Sequence, residues 1–556
     1  MRALLWIAAL AAAGGGVAAS AGSRRETFSE DLLVKPLPDG KVLLHFEFSV
    51  QRALSTGIEG QHSYRLFPRQ IGEIALRYGV RELQLAFTQG GWRDKWGYAP
   101  VASQGAGAEI LARIEGPPEE AARQWKGLAN ALSGVFCASL NFVGQENTSS
   151  PRLTFAETTN ADSNGSTSGS TGGSTGSNTG GSVLKHGYLP RENVCTENLT
   201  PWIKQLPCQS KSGIAALLNP HRLFNMHFHS MGASLAAATD ATSGTPVLHY
   251  KQHVSVVLDP STFGLGSNWT LGELMDRDLA AACPVASQST VRVVASRPDL
   301  QTNSRPDSTG QVAGHTTHTF DLQKRRLDDI GLSFGSAAGP PPASTLPAIS
   351  AHRYVTGHGG ISGGIEAIIV NRRAEPVRIV YLDVLPWYLR VYSHTLKVES
   401  TAAGGRTAAL APSRLLFTPA VDRGRPSSLE VEMYLPPNSH TTLRFDCEKG
   451  FLKYTEHPPD ANRGFNIGPA IVSYELPVAD PAASQPLFCA AANGQAPGKA
   501  CAVRIYTELF LASLPTPDFS MPYNVVSLTC TVLALFFGRV FNLLTRDFAI
   551  LKQADI

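Results

Sequence analysis

Gly360-Ile361-Ser362-Gly363-Gly364 fits G-x-S-x-G, and His358-Gly359-Gly360 runs into it. In a hydrolase that pattern is a sharp strand-to-helix turn lifting the serine Oγ above a parallel sheet. Here Ile365 to Val370 reads as a strand, so the helix the elbow needs is missing. The pattern recurs in Gly172-Gly173-Ser174-Thr175-Gly176, inside a Ser/Gly tract, and is therefore cheap in this composition. His358-Gly359 upstream of Asp446-Cys447 has the His-then-Cys order of a caspase-like peptidase. The separation is far longer than the roughly 50 residues of caspases, and no Q-A-C-x-G-like string surrounds Cys447. His227 and His229 stand at strand spacing with no carboxylate motif beside them. H-E-x-x-H, C-x-x-C, P-loop and dinucleotide fingerprints are missing from the sequence. The expectation is no catalytic residue, no metal and no cofactor.

The elements that would position such groups are mostly strands. Lys41 to Val50 alternates, with Val42, Leu44, Phe46, Phe48 and Val50 on one face, and Glu82 to Thr88 does the same. Leu66 to Tyr78 predicts a helix opened by Pro68, and Pro117-Pro118-Glu119-Glu120 opens another, with Trp125, Leu128, Ala129 and Leu132 at helical spacing. Gly134 to Phe142 reads as a buried strand, and Asn160 to Ser182 as a flexible insertion. Leu189 to Cys208, with three prolines and two cysteines, predicts an irregular, stapled segment. Residues 298–347 turn polar and Pro-rich and predict a linker. Beyond it, short runs at Ile365–Asn371, Val377–Leu382, Trp387–Val398, Ser428–Leu435, Thr441–Phe445, Phe451–Thr455 and Val503–Leu511 predict a β-sandwich. The fold class expected is mostly β with α+β character: tandem β-sandwich-like domains and one C-terminal membrane helix. The first domain, 22–297, is expected to be α+β, and the second covers 348–513.

Tyr523 to Leu544 is a 22-residue apolar run, and ~20 helical residues cross the hydrocarbon of a bilayer. Arg539 near its end can snorkel, and Arg546 and Lys552 close behind predict a cytoplasmic tail, 545–556. Met1 to Ala21 has the charged, apolar and small-residue regions of a secretory signal peptide. Together they predict a single-pass type I protein with the bulk of the chain lumenal. With 48 basic and 45 acidic side chains, net +3, nothing points to nucleic acid.

Of eight cysteines, Cys530 lies in the span, leaving Cys137, Cys195, Cys208, Cys283, Cys447, Cys489 and Cys501 in an oxidising compartment. An odd number leaves at least one free or bonded to another chain. All but Cys195 are carried forward as candidates for intrachain bridges, and a short Cys195–Cys208 loop is the simplest pairing that uses Cys195. Sequons at Asn147, Asn164, Asn198 and Asn268 are candidate glycan sites, although Pro201 follows Asn198-Leu199-Thr200.

Several unusual strings carry a resemblance. His62-Ser63-Tyr64-Arg65-Leu66-Phe67-Pro68, Val135-Phe136-Cys137-Ala138-Ser139-Leu140-Asn141-Phe142 and Val194-Cys195-Thr196-Glu197-Asn198-Leu199-Thr200-Pro201-Trp202 resemble the PIG-T family, as do Leu385-Pro386-Trp387-Tyr388-Leu389-Arg390 and Leu514 to Asn524. That family is a subunit of the glycosylphosphatidylinositol (GPI) transamidase of the endoplasmic reticulum membrane. The resemblance implies a non-catalytic lumenal scaffold for the caspase-like catalytic subunit PIG-K. Other partners it implies are PIG-S, PIG-U, the Gaa-type subunit, the GPI lipid and the proprotein substrate. It also implies that Cys195 forms a disulfide to the caspase-like subunit; the internal Cys195–Cys208 bond remains the alternative.

Asp518, Ser520 and Asn524 stand where the chain meets the membrane, at the depth of a GPI glycan core, and Asn462 lies in the turn Pro459 to Gly464. They are candidate GPI contacts; ordinary capping and turn formation is the other reading. A lumenal cysteine hydrolase and a type I adhesion ectodomain are the competing function classes.

Overall fold

The computed structural model describes residues 26–54, 64–100, 105–155, 181–239, 246–295 except 267 and 279–280, 300–324 except 313–314, 330–334, 346–476 except 358–359, 403 and 459, and 501–547 except 517 and 519. The expected signal peptide, the sequon Asn164, Cys489, and nearly all of the Ser/Gly tract lie outside the described residues.

In chain order the first domain supplies β1 (Glu26–Pro36), β2 (Val42–Ala53), helix α1 (Arg69–Arg77), β3 (Val80–Gln89), β4 (Gly107–Glu115), helix α2 (Pro118–Phe136), β5 (Thr148–Ser149) and β6 (Ser182–Leu189). Helix α3 (Thr196–Lys204), β7 (Phe228–Thr239), β8 (Pro246–Leu258), β9 (Asn268–Thr270), β10 (Gln288–Ala295), β11 (Leu300–Thr302), β12 (Ser308–Val312), β13 (His315–Asp321) and β14 (Gly331–Phe334) follow. Eleven of these strands form one sheet, in the order β12-β13-β10-β1-β2-β8-β7-β3-β4-β6-β5. Alternation puts Leu44, Phe46 and Phe48 of β2, Val254 and Val256 of β8 and Leu85 and Phe87 of β3 on one face, where they pack in a single core with Trp125, Leu128 and Leu132 of α2 and Trp202 of α3. The opposite face carries ion pairs, Asp31 with Arg292 and Glu47 with Lys251, the second at 3.2 Å.

The second domain is a sandwich of two five-stranded sheets. One orders β15 (Ile349–Thr356), β16 (Ser362–Asn371), β22 (Ser439–Lys449), β18 (Leu389–Ala402) and β19 (Thr407–Ala409). The other orders β20 (Arg414–Thr418), β21 (Ser427–Leu435), β17 (Val377–Leu385), β24 (Ile471–Leu476) and β25 (Cys501–Tyr506). Ile365, Ile369 and Phe445 of the first sheet meet Ile379, Val431 and Val472 of the second in one core. Between the sheets lies a fully buried ion pair: Arg353 Nη1 donates to Asp383 Oδ1 at 2.5 Å, and the Tyr381 hydroxyl donates to Asp383 Oδ2 at 2.9 Å. A two-stranded ribbon, β23 (Phe465–Ile467) with β26 (Phe510–Ala512), leads toward the terminal helix α4 (Ser520–Thr545).

The two domains are fastened by Glu430 of β21. Its buried carboxylate accepts from the backbone N–H groups of Arg152, Leu153 and Thr154 at 2.8, 2.7 and 3.1 Å. Beside it, Leu111 and Phe155 of the first domain pack on Leu382 and Ile471 of the second.

Several expectations are corrected. The strand expected over Gly134–Phe142 is the end of α2 followed by a 3₁₀ turn, Ser139–Phe142. Phe136 lies four residues beyond Leu132 and continues the buried helical stripe. The linker expected at 298–347 instead supplies β11 to β14, of which β12 and β13 extend the large sheet. Part of the irregular segment near Cys195 is helix α3, which tolerates Pro201 within it. Phe451–Thr455 contains no strand, and Val503–Leu511 is divided between β25 and β26.

Candidate functional site

What an exposed thiol such as that of Cys195 can reach depends on the backbone that holds it. Cys195 is the residue before α3, and its own N–H donates to the Asn198 side-chain oxygen at 3.0 Å. Three residues separate an N-cap from its capping partner, which is the spacing a capping box uses. The Asn198 amide nitrogen then donates to the carbonyls of Phe136 and Cys137 at 3.2 and 2.8 Å. Those carbonyls belong to the end of α2, where the helix leaves backbone acceptors unpaired. Glu192 accepts from the Ser139 N–H at 2.8 Å and adds a second clip between the same segments. Beneath them Trp202 is buried, its indole N–H donating to the Gly232 carbonyl at 2.9 Å.

Cys137 caps α2 in the left-handed conformation, φ 50°, a position at which helices usually place glycine. Cys137 and Cys195 are both exposed and carry free thiols. Cys208 bonds to Cys283 with Cα atoms 5.9 Å apart, so the Cys195–Cys208 loop does not form. Cys501 is disulfide-bonded. The candidates Cys137 and Cys447 carry no intrachain bridge.

Cys447 is a third free thiol outside α4. It borders a cavity of about 460 Å³ beside Ser362, Gly363, Tyr392, His394 and Asp446. The β18–β22 register shifts between Tyr392 and Lys397, which opens the ladder there. Burial pushes the Cys447 thiol up to about 11, so little thiolate exists near neutral pH. Ser362 is the first residue of β16, which continues as a strand; no elbow is formed.

A further constellation escaped sequence reading because its members are far apart in the chain. Ser149 Oγ is 3.3 Å from His186 Nδ1, and His186 Nε2 is 2.6 Å from Glu109 Oε1. The order is that of a nucleophile, base and carboxylate. All three are buried, with the Phe155 ring 5.5 Å from the imidazole and the Tyr506 hydroxyl 3.5 Å from Glu109. Substrate has no approach, and the cluster belongs to the domain interface. His229 is also buried, against Phe224, and burial lowers it to about 4, so it stays neutral. His227 lies 3.8 Å from Asp259 instead of joining it. Among the described residues no group of three or more metal-ligand side chains forms a metal site.

The sequons differ. Asn198 is 2 % exposed with its amide nitrogen committed to two carbonyls, which leaves no room for a glycan; that site is corrected. Asn268 is exposed at the start of β9, and Asn147 is half-buried, donating to the Phe142 carbonyl at 3.3 Å. Asn462, Asp518 and Asn524 are exposed, and Ser520 begins α4. Tyr523–Thr545 has mean hydropathy 1.7 and none of its apolar window is buried, which fits a single-pass membrane protein.

Comparison with known proteins gives the family. Residues 15–267 and 260–555 match Gpi16, described as the Gpi16 subunit, a GPI transamidase component. The mouse GPI-anchor transamidase component PIGT is 37% identical over 97% of this chain and 92% of its own. The human component of the same name is 37% identical over 95% of this chain and 91% of its own. The Saccharomyces cerevisiae GPI transamidase component GPI16 is 30% identical over 95% of this chain and 90% of its own. The chain therefore belongs to the Gpi16 family.

Proposed function

We propose that this protein is a non-catalytic scaffold subunit of the GPI transamidase, held in the endoplasmic reticulum membrane by α4 with its two domains lumenal. Cys195 joins it covalently to the caspase-like catalytic subunit. The observation that carries this reading is the exposed thiol of Cys195 on a backbone fixed by Asn198, with Cys208 already committed to Cys283. A thiol that must meet another chain needs exposure and a defined direction; a thiol destined for an internal bridge needs a neighbour. The hydrolase alternative would have to rest on Cys447, whose burial works against ionisation. PIG-S, PIG-U and the Gaa-type subunit complete the set of partners, and Asn462, Asp518, Ser520 and Asn524 are proposed contacts to the GPI lipid.

The test is reconstitution. The purified chain alone is expected to release no signal peptide from a proprotein and to attach no amine acceptor, whereas the assembled complex containing it does both. Turnover by the isolated chain at the rate of the complex contradicts the proposal.

A further inference from the structure

Three of the exposed apolar side chains of the second domain stand on turns at one end of the sandwich. β17 ends at Leu385 opposite Ser427, and β22 ends at Lys449, whose N–H donates to the Ile361 carbonyl at 2.9 Å. The turns at this end carry Val421, Phe451 and Tyr454, exposed by 50, 66 and 43 %. They are held firmly. Arg423 Nε and Nη2 donate to the two Glu456 carboxylate oxygens at 2.5 and 3.1 Å, tying the 419–426 hairpin to the 454–456 turn. Arg423 also lies over the Trp387 ring at 4.9 Å, and the Gly450 N–H donates to the Tyr388 carbonyl at 2.7 Å. The exposed apolar groups are thus fixed on a braced rim.

The rim meets the start of the span. The Tyr454 phenol shares a hydrogen bond with that of Tyr523, the first residue of the apolar run. Tyrosine and tryptophan concentrate where a membrane-spanning helix crosses the headgroups, because the ring prefers the apolar side and the hydroxyl the wet side. A side chain bonded to Tyr523 sits at that same depth. Lys453, the preceding residue, and Arg463, just before β23, are exposed and offer cations to lipid phosphates.

We infer that this rim, centred on Val421, Phe451 and Tyr454, is a lipid-contact surface that seats the second domain directly on the bilayer. The inference depends on α4 crossing the membrane and not on the transamidase reading. The occupant is the headgroup and upper acyl layer, since the patch is continuous with the span and combines apolar tips with cations. A protein partner is the competing occupant.

The experiment uses the full chain in vesicles of phosphatidylcholine and phosphatidylserine, with a diazirine placed near the acyl carbonyl of a tracer lipid. After irradiation, adducts are mapped by mass spectrometry. Adducts at Val421, Phe451 and Tyr454 several-fold above those at Tyr434 and Leu415, exposed elsewhere on the same domain, are expected. The double variant F451S/Y454S should lose them while keeping adducts on α4, which serves as the internal control for insertion. Adducts confined to α4, with the rim at the level of Tyr434, overturn the inference. So does a rim labelled in the isolated chain but covered by protein in the assembled complex.

Discussion

Asn198 holds the end of α2 in place: its side-chain nitrogen donates to the Cys137 carbonyl at 2.8 Å, across 61 residues of chain. Because the same side chain accepts from the Cys195 N–H, one residue fixes the backbone at both Cys137 and Cys195. Asn198→Ala should leave two carbonyls and one N–H without that partner and cost about 1–3 kcal/mol. Urea unfolding of the detergent-solubilised chain measures it.

The same bonds predict that the Asn198 sequon carries no glycan while Asn268 is open to one. Enzymatic glycan removal in heavy-oxygen water, followed by peptide mass spectrometry, should mark Asn268 and leave Asn198 unmarked. A marked Asn198 would mean that its buried amide is not the one observed.

Arg353 and Asp383 make the second domain vulnerable at a single contact. Both side chains are fully buried, and Asp383 also accepts from Tyr381. Asp383→Ala leaves an uncompensated guanidinium between the sheets and should cost about 3–5 kcal/mol. Replacing both partners with apolar residues should recover much of that loss in the same unfolding assay.

His229 predicts a dependence on pH. Its folded value, lowered to about 4, lies below the ordinary 6.5 of the unfolded chain, so the unfolded state takes the proton first. Stability from this group is full above pH 6.5, falls between 6.5 and about 4, and changes by roughly 3 kcal/mol in all. Comparing thermal midpoints of the wild type and His229→Phe across that window isolates the effect; the variant should show the shallower slope.

Cys447→Ala should preserve GPI attachment in cells lacking the native chain. The thiol is buried and shifted up to about 11, so it contributes packing and no nucleophile. A stability loss of about 1 kcal/mol is expected from the small void. Loss of attachment with normal protein levels would revive the hydrolase reading.

Much of the fold was legible wherever one face is buried. β2 alternates because Val42 to Val50 must face the helices, and Trp125 to Leu132 mark α2 by their spacing. The polar strands were not legible. β13 reads His-Thr-Thr-His-Thr-Phe-Asp and buries little beyond Thr317 and Phe320, so its composition resembles a linker while its backbone completes a sheet. Phe136 was misassigned because Val135 and Phe136 form an apolar run short enough for either a strand or a helix end. At the candidate site, Cys195 stood out only through the family strings. Neither the Cys208–Cys283 bridge, 75 residues apart, nor the placing of Cys137 beside Asn198 has a local signature. Both are set by tertiary packing.

The most direct test is a non-reducing gel of the epitope-tagged chain from cells, wild type beside Cys195→Ser and Cys137→Ser. The account predicts a high-mass band in the wild type and in Cys137→Ser that collapses on reduction, contains the caspase-like subunit and is missing from Cys195→Ser. Wild type running as a monomer, or a band that survives Cys195→Ser, would contradict the covalent scaffold.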